Sequence, residues 1–306
     1  MAITAAMVKE LRELTGAGML ECKNAITEAD GNMERAVELL REKGLAAASK
    51  KSGRIAAEGI SFAHINGDKS VGVLLEVNSE TDFVAKNQEF RTFVEQVAAQ
   101  VVVSSAADAE ALLQETWLAD GQYTVQEALN QKIATIGENL SIRRFAKYER
   151  SANGRLISYI HGEGRISVLM ELACDADAEP IYEAGRNLCM QIAALNPLFI
   201  DRTEISADFI AKEREVLKQQ ALNEGKPEAI VEKMIEGRLN KNLKELCLID
   251  QQYVKDGEVT VAQYLENVGK EVGAPVSIAR FTRFETGEGI EKKEDNFAEE
   301  VKNLSS

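Results

Sequence analysis

The chain has 306 residues, enough for two or three domains, and its 45% hydrophobic content is ample for real cores. A formal charge of −14 argues against binding a phosphate backbone, which needs clustered lysine and arginine. Acidity of this kind favours solubility and a basic patch on a protein partner.

Residues 4–44 read as three short helices. Thr4 is an N-cap, and Val8, Leu11 and Leu14 follow at helical spacing. Gly16-Ala17-Gly18 breaks the first helix, Met19 opens a second that stops near Asp30-Gly31, and Asn32 caps a third with Gly44 as its stop. Lys50-Lys51-Ser52-Gly53-Arg54 reads as a basic, solvated linker. Residues 60–65 and 70–77 form a hairpin across Asn66-Gly67, a two-residue turn signal. Helices follow over 83–103 and 122–136, then a strand over 141–148. Residues 156–160 and 165–172 read as a second hairpin, 181–195 as a helix and 277–284 as the last strand. Between these, 206–223 and 228–243 carry apolar seams, with Glu224-Gly225-Lys226-Pro227 as the turn between two antiparallel helices. Gly287-Glu288-Gly289 releases a last amphipathic helix over 290–304, with Phe297 and Val301 on one side.

The repetition of hairpin and helix is an internal duplication. Residues 60–99 align without a gap on 155–194, at an offset of 95, matching Ile65 with Ile160, Glu76 with Glu171, Asp82 with Asp177 and Arg91 with Arg186. Residues 118–149 align on 254–285 at an offset of 136, matching Thr124-Val125 with Thr260-Val261, Gly137 with Gly273 and Arg144-Phe145 with Arg280-Phe281. The offsets differ by 41, so the second copy holds about 41 extra residues between Ala194 and Val254, which read as an inserted helical hairpin. Antiparallel strands with helices on one face give an α+β layer architecture. The segments are a helical bundle and linker at 1–55, a first core copy at 56–150, a second at 151–286 with the insertion at about 203–249, and a terminal helix at 287–306.

One stretch stands out: Val77-Asn78-Ser79-Glu80-Thr81-Asp82-Phe83-Val84-Ala85-Lys86-Asn87, where an apolar run ends and delivers Asp82 and Phe83 to a helix start. The aromatic is either a core anchor or a wedge aimed at a partner. The duplication aligns Phe83 with Ala178, so the shared scaffold does not demand a large residue there. Against this, Phe83 lies seven residues before Phe90, a helical spacing onto a packed face. Both readings stand at this level. His161 aligns with Asn66 and sits in a glycine-rich turn, His161-Gly162-Glu163-Gly164, either simply exposed or as a contact residue.

Enzyme chemistry finds little support. Gly269-Lys270 is followed by Glu271, so no GxxxxGK[ST] phosphate cradle exists. Gly162-Glu163-Gly164 precedes a strand and lacks the third glycine of a dinucleotide fingerprint. His64 and His161 are too few for most histidine metal sites, and Cys22, Cys174, Cys189 and Cys247 show no paired spacing. The cysteine usage points to a reduced, cytosolic compartment. Met1 to Lys9 lack the pattern of a signal peptide, and no apolar run approaches the roughly 18 residues of a membrane span.

Three stretches carry a family resemblance: Thr15-Gly16-Ala17-Gly18-Met19-Leu20-Glu21-Cys22-Lys23, the Val77–Lys86 stretch quoted above, and His161-Gly162-Glu163-Gly164-Arg165-Ile166-Ser167-Val168-Leu169. Each is similar to bacterial elongation factor Ts, and the likeness covers nearly the full length. It implies a UBA-like bundle, a duplicated core, and nucleotide exchange on the GTPase elongation factor Tu, with no cofactor, no chemistry of its own, and no direct contact with nucleic acid or membrane. In the family the Thr-Asp-Phe aromatic inserts near the magnesium and phosphate site of the GTPase, which falls here on Thr81, Asp82 and Phe83, with Val84 beside them. His161 would contact the partner. Arg12, Met19, Leu20 and Lys23 of the bundle would grip another helix of the GTPase. Family members often carry two methionines where this chain has Met19-Leu20, and glycine where it has Ser167; both changes are small. The inserted hairpin implies a homodimer, a heterotetramer or a further partner contact. From the residues alone, a pure interaction protein and an enzyme with an unrecognised site remain the competing classes.

Overall fold

A computed structural model of the chain describes residues 3–224 and 228–291, and the side chains of all of these except 228–231. The first helices are α1 (Ala5–Thr15), α2 (Met19–Glu28) and α3 (Met33–Lys51). Local chemistry sets their starts. Thr4 Oγ1 accepts the Met7 N–H at 3.3 Å, and the Asn32 side chain accepts the Arg35 N–H at 3.0 Å. Gly16, at φ 68°, ends α1 in the left-handed conformation that glycine adopts without strain. The three helices close around Leu11, Cys22, Ile26, Ala36 and Leu39.

The first half then runs through β1 (Glu58–Ile65), β2 (Val71–Ser79), α4 (Asp82–Ala85), α5 (Gln88–Val103), α6 (Ala109–Leu113), α7 (Val125–Ile136) and β3 (Ser141–Glu149). The second half runs through β4 (Gly154–His161), β5 (Ile166–Ala173), α8 (Glu179–Leu195), α9 (Ala207–Asn223), α10 (Glu228–Leu246), β6 (Gln252–Tyr253), β7 (Asp256–Thr260), α11 (Val261–Val272) and β8 (Ser277–Glu285). Each half builds a three-stranded antiparallel sheet, in the orders β1-β2-β3 and β4-β5-β8. The duplication extends to the irregularities. The register of β2 on β3 shifts at Glu76/Val77, and that of β5 on β8 shifts at the aligned Glu171/Leu172.

Alternation along each central strand sorts the layers. Val73, Leu75 and Val77 face Phe90, Phe93 and Val97 of α5, while Val168, Met170 and Leu172 face Ile181, Leu188 and Ile192 of α8. The opposite faces meet each other through Leu74, Leu169, Leu156, Tyr148 and Phe284. The result is a helix–sheet–sheet–helix stack with a pseudo-dyad between the sheets. Matched ion pairs lock it. Glu76 is fully buried and accepts from Arg144 Nε at 2.5 Å; Glu171, also buried, accepts from Arg280 Nε at 2.7 Å. Each guanidinium also lies over the other half's aromatic: Arg144 on Phe284 at 4.3 Å, and Arg280 on Tyr148 at 4.1 Å.

Four local expectations fail. Gly44 does not stop α3, which continues to Lys51. The glycine is buried at the crossing of α3 with α7, where a Cβ would lie 3.8 Å from the Asn130 carbonyl and 4.0 Å from Ala134 Cβ. Lys50 and Lys51 are helical rather than a tether, and Lys51 Nζ donates to the Ile133 carbonyl at 3.3 Å. Arg41 pairs with Glu127 and stacks on Tyr123 at 5.1 Å, so the bundle is seated on α7. The Asn66-Gly67 pair does not form a two-residue turn, because pairing begins at Ile65 with Gly72; Asn66 instead accepts the Val71 N–H, and Lys69 takes the left-handed conformation. The continuous helix expected over 83–103 is broken at Lys86-Asn87.

α9 and α10 pack side by side over Leu217, Ala221, Ile235, Leu239 and Leu243. Arg214 pairs with Glu236, and Arg238 with Glu224 at 2.9 Å. The turn expected at 224–227 falls largely on residues 225–227, outside the described residues. So does the terminal helix expected over 290–304, beyond Glu291.

Candidate functional site

The break at Lys86-Asn87 decides the position of Phe83. Thr81 caps the one-turn helix α4 by accepting the Val84 N–H, and Asn87 then caps α5 by accepting the Glu89 N–H at 2.7 Å. Phe83 and Phe90 therefore sit on different helices, and their spacing of seven carries no shared face. Phe90 is fully buried, while Phe83 is 80% exposed. Val84, expected among the contacts, turns the other way into the core beside Ile60 and Val77 and anchors the turn. Among the described large apolar side chains Phe83 is the most exposed, and it stands on an anchored turn.

The turn is braced by the adjoining loop between α7 and β3. The Glu138 carboxylate, just past the C-cap of α7, accepts the N–H groups of Glu80 at 3.1 Å and Thr81 at 3.0 Å, and the Thr81 hydroxyl at 2.6 Å. The Asn139 N–H donates to Glu80 at 2.6 Å, and its side-chain amide donates to the Arg54 carbonyl at 2.7 Å. Asp82 pairs with Lys86 at 2.7 Å. That lysine, followed by the first-turn backbone N–H groups, holds the Asp82 carboxyl below the usual carboxylate range.

The second half brings its signature turn to the same region. His161 ends β4, is exposed, and has its Nδ1 3.0 Å from the Tyr159 hydroxyl. Behind it the turn presses onto β1: a Cβ on Gly164, at φ 103°, would lie 2.5 Å from Ile60 Cγ2. Arg91 of α5 donates to the Glu163 carbonyl at 3.2 Å. Asp82 first, and Glu163 as a smaller contribution, raise the pKa of the Lys86 ammonium, so the two signature stretches lie within electrostatic reach. Arg91 and Glu138 were not among the residues singled out from sequence. Arg91 is matched by Arg186 in the repeat and gives no contrast there, whereas Glu138 aligns with Ala274, a difference that was legible.

On the bundle, Met19, Leu20 and Lys23 line an open groove of about 480 Å³ with Ile3, Thr4, Ala5 and Val8. Leu20 is 70% exposed and Met19 49%. Arg12 is exposed on α1 but does not line this groove, and Leu14, at helical spacing from the buried Leu11, is exposed as well. Among the described residues no three histidine, cysteine or acidic side chains converge as a metal site requires, and all four cysteines are free and buried. No helix among them is long and apolar enough to cross a membrane. The arrangement presents exposed apolar groups, Phe83 on its braced turn and Met19 and Leu20 on the groove of the bundle.

Comparison with known proteins gives a consistent answer. The profile of the family described as Elongation factor TS matches residues 80–288. The chain is 54% identical over 299 residues to a protein named elongation factor Ts from Clostridium novyi (strain NT), covering 98% of this chain and 97% of that one. It is 55% identical over 299 residues to the protein of that name from Clostridium perfringens (strain 13 / Type A), covering 98% of each, and 53% identical over 299 residues to that from Clostridioides difficile (strain 630), covering 98% and 97%. With a profile spanning most of its length and relatives of that identity, this chain belongs to the elongation factor Ts family.

Proposed function

We propose that this chain is a guanine nucleotide exchange factor for elongation factor Tu, acting in the cytosol without covalent chemistry of its own, and that Phe83 is the group that disturbs the nucleotide site. The observation that carries the reading is the contrast across one helical turn: Val84 is 8% exposed and Phe83 80%. A ring presented this way costs the free protein contact with water and repays it only when a partner covers it.

The physics is linkage. A factor that binds the nucleotide-free GTPase more tightly than the GDP-bound form weakens GDP by the same coupling energy. Burying one phenylalanine supplies about 1.5–3 kcal/mol, and each tenfold in release needs about 1.4 kcal/mol. Phe83 therefore accounts for one or two decades. Further acceleration comes from holding the partner in its distorted form, with Asp82 beside the ring, His161 on the second signature turn, and Met19, Leu20 and Lys23 gripping from the bundle. Thr81 and Val84 serve this by fixing the turn. The paired helices α9 and α10 project as a contact arm for a second copy or for the GTPase. The test is a mixing experiment. Sub-stoichiometric amounts of this chain, added to elongation factor Tu loaded with fluorescent GDP, accelerate release of the whole nucleotide pool. Release limited to one equivalent per molecule, or none, would refute the assignment.

A further inference from the structure

The internal repeat gives the molecule a copy of the site without its prong, and the copy shows which supporting residues go with it. Thr81 and Phe83 align with Ala176 and Ala178. Glu138 and Asn139, in the other repeated segment, align with Ala274 and Pro275. The two places are equivalent in three dimensions. Val77 pairs with Ile142 and Leu172 with Ile278 at matched positions of the two sheets, and both α7 and α11 end on a left-handed glycine, Gly137 and Gly273. The same strand exit and the same helix exit therefore adjoin in each half. Among the described residues, only the first half ties them together through side-chain hydrogen bonds. Ala274 has no carboxylate to accept backbone N–H groups, and Pro275 has no N–H to donate as Asn139 does. The second half holds its strand exit differently, with Arg155 donating to the Ala176 carbonyl at 2.9 Å and pairing with Asp177 at 3.5 Å.

A brace the scaffold required would recur in both halves, as the buried Glu76–Arg144 and Glu171–Arg280 pairs do. This one occurs only where the ring is presented. We infer that Glu138 is a positioning residue for exchange: its three hydrogen bonds hold the Glu80–Thr81 backbone so that Phe83 meets the partner already in its working orientation. The inference rests on the exchange reading above. Its physical content is pre-organisation. A ring on a loose turn must be ordered on binding, and that cost is subtracted from the energy available to displace nucleotide.

The experiment measures GDP release from elongation factor Tu against concentration of the full-length factor, for Glu138→Ala, Glu138→Gln, Phe83→Ala and the Phe83→Ala/Glu138→Ala double variant. Glu138→Ala is expected to lower the maximal rate about ten- to a hundredfold, with half-saturation little changed because the bundle groove is untouched. Glu138→Gln, which keeps an acceptor for both N–H groups, is expected to restore most of it. On the Phe83→Ala background, Glu138→Ala should cause no further loss, since two residues acting through one contact are not additive. A merely structural role would give the same loss on both backgrounds, and that result, or wild-type release by Glu138→Ala, overturns the inference while leaving Phe83 in place. Wild-type release by Phe83→Ala removes the role of Phe83 and this inference with it, whereas no catalysed release by the unmodified chain removes the exchange reading itself. Should Glu138→Ala unfold, Asn139→Pro, which installs the residue of the second half, removes the hydrogen bonds from Asn139 to Glu80 and to the Arg54 carbonyl and carries the same comparison.

Discussion

Replacing Phe83 by alanine should separate the proposed exchange role from stability. The ring is 80% exposed in the free chain, so the folded state gives up almost no packing when it is truncated. The unfolding free energy should move by no more than about 0.5 kcal/mol, the range of ordinary surface substitutions. In the complex the same ring would be covered, and its loss costs about 1.5–3 kcal/mol of transfer energy, or one to two decades in catalysed release at about 1.4 kcal/mol each. Stopped-flow release of fluorescent GDP from elongation factor Tu reads the second quantity, and thermal melting reads the first. Phe90→Ala is the matched contrast, seven residues along and fully buried; it should lose about 3–5 kcal/mol of stability. Unchanged release by Phe83→Ala, or a melting loss like that of Phe90→Ala, would refute the reasoning.

Other predictions follow from the supports. Gly44→Ala should stabilise the chain by up to about 1 kcal/mol, because alanine is the better helix former and its Cβ meets only ordinary contacts at 3.8 and 4.0 Å; Gly44→Phe should instead lower the melting temperature by wedging α3 off α7. Burial pushes the Glu76 carboxyl up, but the Gly287 N–H, Arg143, Arg144 and Asn78 together pull it down further, so its pKa is lowered. Its contribution is therefore complete above the ordinary glutamate range and is lost as pH falls through the depressed folded-state value. Chemical denaturation from pH 7 to pH 3 should show that acid loss in the wild type and a flatter profile in Glu76→Gln, which starts about 3 kcal/mol lower because its arginines lose their counter-charge. Burial raises the thiols of Cys22, Cys189 and Cys247 above their usual range. A thiol reagent at pH 8 should leave all four buried cysteines unmodified in the native chain and label all four in denaturant.

A few neighbouring residues are enough to set some parts of this protein. Thr4 and Asn32 start helices where they were expected to, because a cap satisfies an N–H only three residues away. The two aligned segments yielded two sheets of the same order and a repeated register shift, because alternation and strand pairing travel with the pattern that encodes them. Tertiary structure decided whatever turns on which surface comes to lie opposite. Gly44 reads as a helix stop until α7 packs across α3 beside it and the helix runs on to Lys51. The arginines of the repeat were visible as matches, but not that each lies across the other half's aromatic ring. Phe83 and Phe90 are alike in type and helically spaced. Only the cap at Asn87, and the sheet that takes up Val84 and Phe90, put one ring outside and the other within. Burial is a property of the assembled layers, and a short run of residues fixes the direction of a side chain only after the neighbouring layer has been placed.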